Sequence, residues 1–422
     1  MKIILFLFSA LIASSLHAQF TMSGEFRPRS EYRHGFSTLA NLDQDPAFFT
    51  DQRSRLNFMF NDDTYELKIV VQDVRTWGSQ SQLVANDGNL TTLHEAWGRL
   101  KLNESVSLKL GRQEIVLDDS RMFGNVDWAQ QARSHDAAML DWEKEGMKMK
   151  FAVAYNQDGP QTTTNYYTVP NSYKAFQMVW MQKNFTSFNA SLLLLNQGMQ
   201  TGVAPNGATR FSQTIGGRVD KSSGSLKPGG SIYYQTGRDG NAVELAALQY
   251  QLDVKYALSE STQITVGYEH LSGNDQVNPN SKNNSFTPFY GTNHKFNGLM
   301  DYFYVGNHIG SVGLNDLFFQ GEFKLEKNKL QADFHIFSTD GRLLDPATSN
   351  AANKYLGSEF DFVFTRKVSE VISWNVGYSH MLATESMEIL KGGNADATNN
   401  WGWVMLTIKP TFFTMEKVSA NN

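Results

Sequence analysis

The chain alternates apolar and polar residues with a period of two along most of its length, the mark of strands with one greasy and one wet face. Within 20–32 the even positions include Phe20, Met22 and Phe26, while Glu25, Arg27, Arg29 and Glu31 take the odd ones. Leu56, Phe58 and Phe60 oppose Arg53, Arg55 and Asn57. Later, Leu248, Tyr250, Leu252 and Val254 oppose Gln249, Gln251, Asp253 and Lys255, and Phe360, Phe362 and Phe364 oppose Glu359 and Asp361. Such stretches fall at 20–32, 51–61, 64–75, 91–102, 105–113, 135–144, 147–156, 173–184, 187–198 and 209–221. They continue at 224–237, 244–258, 262–272, 314–326, 328–339, 355–367, 370–381 and 400–412, which predicts eighteen strands. Most run for about 10–15 residues, longer than soluble strands and long enough to cross a bilayer at a tilt.

The connections alternate too. After each even-numbered strand the joint is a few residues, as in Asn61-Asp62-Asp63, Asn103-Glu104 and Glu145-Gly146, whereas the other joints are mostly long. Short turns at one end, long loops at the other and an even count describe an all-β fold, a transmembrane antiparallel up-and-down β-barrel of about 18 strands. An Arg on a barrel exterior near the bilayer midplane costs roughly 2–4 kcal/mol, so the faces bearing Arg27, Arg29, Arg53 and Arg55 are expected to line the lumen. Asp73, Arg75 and Arg112 share the parity of the apolar residues before them. Either those strands have left the hydrocarbon there, or a bulge resets the phase. Tyr65, Trp142, Tyr155, Tyr256, Trp374 and Tyr378 suit interfacial girdles or, equally, ordinary core packing. The last strand closes on Phe412 and Phe413 before a short polar tail.

Composition narrows this further. The 422 residues contain no cysteine, which excludes disulfides, thiolate-bound metals and a lipid-anchored cysteine. A net charge of −5 argues against nucleic acid as a partner, and the many aromatic rings argue against disorder. Residues 1–18 (Lys2, an apolar run from Ile3 to Ile12, then Ala18 at the cut) predict a signal peptide. Residues 19–422 then form one barrel domain set among the lipids of a Gram-negative outer membrane, with no stretch left for a plug domain before the first strand.

Arginine is unevenly placed. Ten of fifteen lie between Phe20 and His135: Arg27, Arg29, Arg33, Arg53, Arg55, Arg75, Arg99, Arg112, Arg121 and Arg133. A planar guanidinium binds carboxylate or phosphate bidentately, so this wall reads as an anion track. It reads also as a cation ladder neutralised by Glu25, Glu31, Glu66, Asp73 and Glu95, and the two are compatible. Two loops are rich enough to constrict or cap the pore. Loop 114–134 carries Asp118, Asp119, Arg121, Asp127, Trp128 and Arg133, and loop 273–313 carries Tyr290, His294, Lys295, Asn297 and Asp301. The aromatic and amide residues of the second loop suit sugars, and equally suit the folding of a large outer loop.

The segments GEFRPRSEYR, DQRSRLNF, VVQDVRTWG, LHEAWGRL, KLGRQE, DDSRMFG, DWAQQARSHDA and FYGTNHKFNGLMDYF resemble those of the alginate-export-type outer-membrane porins, from about Gly24 to Phe412 and most strongly in the first third. That resemblance implies an eighteen-stranded barrel in which an arginine-lined constriction assists an anionic polyuronate. It makes Arg27, Arg29, Arg53, Arg55, Arg112 and Arg133 candidate lumen cations, with Glu95, Asp118 and Asp136 as their partners. The full set of expected path residues adds Arg75 and Arg121 to the cations and Glu25 to the counter-charges.

Catalytic motifs are missing: the sequence has no nucleophile elbow, Walker loop or zinc-protease helix. His270 and Ser272 share a strand face without an orienting third group. His34, His94, His135, His270, His294, His308, His335 and His380 show no ligand spacing, so no catalytic residue, metal or cofactor is expected. The sequence therefore predicts a channel for passive passage of anionic oligo- or polysaccharides or other small anionic solutes, any periplasmic export or uptake partner being left open. A barrel-embedded hydrolase and a surface glycan-binding barrel with a blocked lumen are the alternatives.

Overall fold

The computed structural model describes residues 19–415 apart from 84–87, 89, 170, 171, 204, 222 and 304, so the expected signal peptide lies outside the described residues. The strands are β1 (Gln19–His34), β2 (Ala47–Asn61), β3 (Tyr65–Thr76), β4 (Thr91–Lys101), β5 (Val106–Gln113) and β6 (His135–Lys144). Next come β7 (Met147–Tyr155), β8 (Ala175–Asn184), β9 (Phe188–Val203), β10 (Asn206–Lys221), β11 (Leu226–Arg238) and β12 (Glu244–Ala257). The wall is completed by β13 (Thr262–Leu271), β14 (Leu314–Leu325), β15 (Asn328–Ser338), β16 (Tyr355–Lys367), β17 (Ile372–Ala383) and β18 (Asn399–Ile408). Each pairs antiparallel with its sequence neighbours, and β1 pairs with both β2 and β18, which closes an eighteen-stranded barrel without an open edge. Closure satisfies every strand from both sides, the condition for backbone in hydrocarbon.

The alternation sorts the residues by face. Leu56, Leu110, Ile232, Leu252, Val266, Phe319, Phe362 and Val376 are exposed, whereas Arg53, Gln72, Gln113, Gln235, Gln249, Glu269, Asp316 and Glu359 are buried. This inverts the order of a water-soluble protein and fits lipid outside, polar lumen inside. Of the six girdle candidates, Tyr65, Tyr155, Tyr256, Trp374 and Tyr378 are exposed on the outer face.

Three details depart from the sequence expectation. The final strand breaks at Pro410, which has no N–H to give the ladder, and resumes as β19 (Thr411–Met415) against β1. The β9–β10 hairpin pairs as far as Val203 with Asn206, where a longer loop was expected; Gly202, at φ +100°, pairs with Gly207 one step before that end. A helix, Glu385–Lys391, stands in the loop after β17, with Met387 buried beneath it.

The phase question is settled strand by strand. In β3 the phase holds: Arg55 faces Gln72 and Arg53 faces Val74, so Ser54, Asp73, Gln52 and Arg75 take the other, outward face. There Arg75 forks onto Asp73 at 2.7 and 2.6 Å. In β5, Gln113 and His135 face each other buried, so the next pair, Arg112 and Asp136, points outward and bonds at 3.0 Å. Arg75, Arg112 and Asp136, expected in the lumen, thus sit outside near the loop-side ends of their strands, where headgroups and water replace hydrocarbon. A bulge does exist, on β4: Val70 pairs with Glu95 and Val71 with Leu93, leaving His94 as the extra residue.

Candidate functional site

The site is built where two loops turn back inside the barrel. On β1 and β2, the antiparallel register sets Arg27 beside Arg53 and Glu25 beside Arg55. With Arg29, which faces Asp51, four guanidinium groups share one patch of the inner face. They meet loop segment 127–131. Arg53 forks onto Glu25 at 2.7 and 2.5 Å and reaches Asp127 Oδ1 at 2.8 Å. Arg27 donates to the carbonyl of Asp127 at 2.8 Å and to Gln130 Oε1 at 3.1 and 2.9 Å. Arg29 donates to the carbonyl of Trp128 at 2.6 Å and to Glu31 at 2.8 Å. Arg55 donates to Gln72, whose amide in turn holds the carbonyl of Gln131. Burial alone would raise the Asp127 carboxyl; Arg53 and Arg27 outweigh it and hold the group below the usual carboxylate range.

The same loop reaches other walls. Asp118 accepts from Trp180 on β8, and Asp119 pairs with Arg218 on β10 at 2.9 Å. Burial raises Asp118 above its ordinary value, and the neighbouring Asp119 adds to the rise. Arg121, also buried, pairs with Glu269 on β13 at 2.7 Å and donates to Asn297 at 3.0 Å. Ile115, Leu117, Met122 and Phe123 pack with Phe176, Met178, Leu193 and Leu195, an apolar core inside the barrel against β8 and β9.

Loop 272–313 lies against the opposite wall. Asn297 donates to Glu269 and Asp316, Leu299 N–H to Asp361, and Met300 N–H to Glu359 at 2.8 Å. Gly298 stands at φ +81°, where a Cβ would lie 2.6 Å from the Glu359 carboxyl, so only glycine fits. The two loops join through Thr292 N–H to Ser120 O, Gly124 N–H to Tyr290 O and Arg133 to Gly291 O. Trp128 is sandwiched, with the Arg29 guanidinium 4.0 Å from its ring centre and His294 stacked at 4.5 Å. Trp401 and Trp403 meet it edge-on.

Free space lies on both sides of this junction. A cavity of about 440 Å³ on the loop side is lined by Arg29, Arg33, Phe36, Asp51 and Trp128. One of about 520 Å³ lies beyond, between Trp128, Arg218, Lys255, Lys295, Asp333 and Trp403. Below them, about 720 Å³ opens toward the turns beside Glu66, Arg99, Lys101, Asp141 and Lys150.

The structure therefore brings Arg27, Arg29, Arg53, Arg55 and Glu25 together, puts Arg121, Arg133 and Asp118 on the inserted loop, and sets Glu95 on β4 against Lys68 and Trp97. Sequence reasoning missed Lys68 and Lys109, which continue the cationic wall, and the facing acids Glu269, Asp316 and Asp333. All five occupy the polar parity of their strands, a signal that would have found them. His270 bonds Asn315 and stacks on Tyr250, and its position on β13 puts it on the same face as the exposed Ile264 and Val266. His294 bonds Asp301, while His308 bonds the carbonyl of Gly313.

Comparison with known proteins gives both family and fold. The alginate export family model matches residues 18–396. No curated protein matches the chain. Among solved structures, it is similar to OccK3 (OpdO) of Pseudomonas aeruginosa, at 14% identity and TM-score 0.63, covering 96% of this chain and 99% of that one. It is also similar to OpdQ of the same organism (9% identity, TM-score 0.62, 93% and 98% covered) and to its OccK9 (OpdG; 12%, 0.61, 93% and 98%).

Proposed function

The chain belongs to the alginate export family, and from that premise we propose that it passes anionic, carboxylate-bearing oligo- or polysaccharides through a lumen whose cations lie along β1–β5. It is an outer-membrane barrel channel of a Gram-negative bacterium rather than an enzyme, which removes the hydrolase alternative. The observation that carries the finer reading is the run of cationic side chains on neighbouring strands of one wall. It descends from Arg29, Arg27 and Arg53 through Arg55 and Lys68 to Lys109 and Arg99. Rings or columns of Arg and Lys lower the barrier to anions in a pore.

The arginines also hold segment 127–131, so in this reading they have two tasks. Arg27 and Arg53 fix the constriction that loops 114–134 and 273–313 form, and below them Lys68, paired with Glu95, and Lys109, over the Trp97 ring, continue the cationic wall. Planar-bilayer recording under a salt gradient tests this. Anion preference is expected, with block by a short uronate oligomer at lower concentration than by a neutral one. Lys109→Gln, on β5 with its ammonium 4.1 Å from the Trp97 ring centre, is expected to reduce the preference without altering the loops. Cation preference in the unaltered protein would sink the reading, and absence of conductance would favour a blocked, glycan-binding barrel.

A further inference from the structure

We propose that His94, Glu95 and Glu114 form a site for one divalent cation of the borderline, imidazole-accepting class, with Zn²⁺ as its representative. One ligand atom from each residue lies within 4.8 Å of the others. His94 and Glu95 are consecutive in sequence and would ordinarily point to opposite faces of β4. The bulge that leaves His94 unpaired turns both inward, and both are buried. Glu114 arrives from the residue after β5, where loop 114–134 begins.

The surroundings orient the donors as a metal site requires. Ser134 Oγ lies 3.3 Å from His94 Nδ1, which leaves Nε2 aimed at Glu114 Oε1, 2.7 Å away. Asn125 donates to Glu114 Oε2 at 3.0 Å, so that oxygen is held and the other is presented. Glu95 is held at both oxygens, Oε1 by Trp97 and by the Glu114 N–H and Oε2 by Lys68, so an ion that takes this ligand displaces the Lys68 ammonium. An acceptor on Nδ1 fixes the imidazole tautomer and raises the basicity of Nε2, while the donors on the carboxylates fix their orientation and keep them ionised. The two carboxylates stand near Lys68, Lys109 and Arg55 and would give a divalent ion two anionic oxygens beside the imidazole nitrogen. An ion at about 2.1 Å from Nε2 and Oε1 replaces the proton they share and spreads the two atoms by under about 1 Å, a movement the half-buried Glu114 side chain can make. Three protein ligands leave one position for water or solute. Because Glu114, Asn125 and Ser134 come from the start, middle and end of the inserted loop, an ion here ties that loop to β4.

The test uses the full barrel, folded in detergent, stripped with chelator and titrated with Zn²⁺ by calorimetry. One equivalent is expected to bind, weakened at least tenfold by His94→Gln and by Glu114→Gln. Zinc-edge absorption of the loaded protein is expected to show a single imidazole nitrogen among oxygens, and protease is expected to cut loop 114–134 more slowly with the ion bound. Ca²⁺, which avoids imidazole, is expected to bind at least tenfold more weakly. Folding of each variant is read from its heat-modifiable gel mobility; if His94→Gln does not fold, the partly exposed Glu114→Gln alone decides. No binding, or equal binding by the unaltered protein and the folded variant, overturns the proposal; so does Ca²⁺ binding as tightly as Zn²⁺.

Discussion

At the scale of single residues, the arginines of this chain divide by what stands opposite them. Arg53 has no exposed surface, and its fork is filled by Glu25 and Asp127. Removing one partner of a buried pair strands the other charge, at a cost of about 3–5 kcal/mol. Arg53→Ala is therefore expected to lower the denaturant midpoint of the folded barrel clearly, with Arg53→Lys in between because it keeps the charge and loses the fork. Arg75, paired with Asp73 on the outer face, belongs to the half-exposed class worth about 1 kcal/mol or less. If Arg75→Ala destabilised the barrel as much as Arg53→Ala, the division between the two faces would be wrong. A count of arginines in the sequence cannot make this distinction; the register of β2 against β3 makes it.

Elements were legible wherever two solvents meet across one strand. Lipid outside and water inside force the period of two, so even β14 and β15, with few arginines, were placed within a residue or two. The loops obey no such rule, and the helix Glu385–Lys391 went unread because seven residues are too few for a helical period to emerge from a loop. That helix carries a titration of its own. Burial lowers Lys391 from 10.5 to about 7, while its ammonium donates to the carbonyl of Asn307 at 2.9 Å. Between about pH 7 and about 10.5 the open loop binds the proton more tightly than the closed one, so the closed loop gains stability as pH rises through that window. Limited proteolysis of the outer loops is expected to be slower at pH 9 than at pH 6. In Lys391→Met the difference between the two pH values is expected to vanish once the protease's own pH dependence is subtracted.

For the whole molecule, the barrel and its inner strut are separable. The wall is held by backbone pairing that runs unbroken around the ring, and it was readable from local pattern alone. The strut is held by contacts between residues far apart in sequence, such as Arg27 with Gln130 and Arg121 with Asn297, 103 and 176 positions apart, which no local pattern announces. Segment 127–131 leans on β1 and β2, segment 297–300 on β13, β14 and β16, and Trp128 against His294 joins them across the lumen. A change at that joint should therefore alter passage and leave the wall in place. Trp128→Ala is expected to raise single-channel conductance and its fluctuation, while the folded band on a gel and the thermal midpoint shift little. The converse substitution, Ile232→Arg on the exposed outer face of β11, is expected to cost roughly 2–4 kcal/mol at mid-bilayer and leave the conductance of the molecules that do fold unchanged. If Trp128→Ala unfolded the barrel as readily as Ile232→Arg, the loops would be part of the wall's stability rather than a strut set within it.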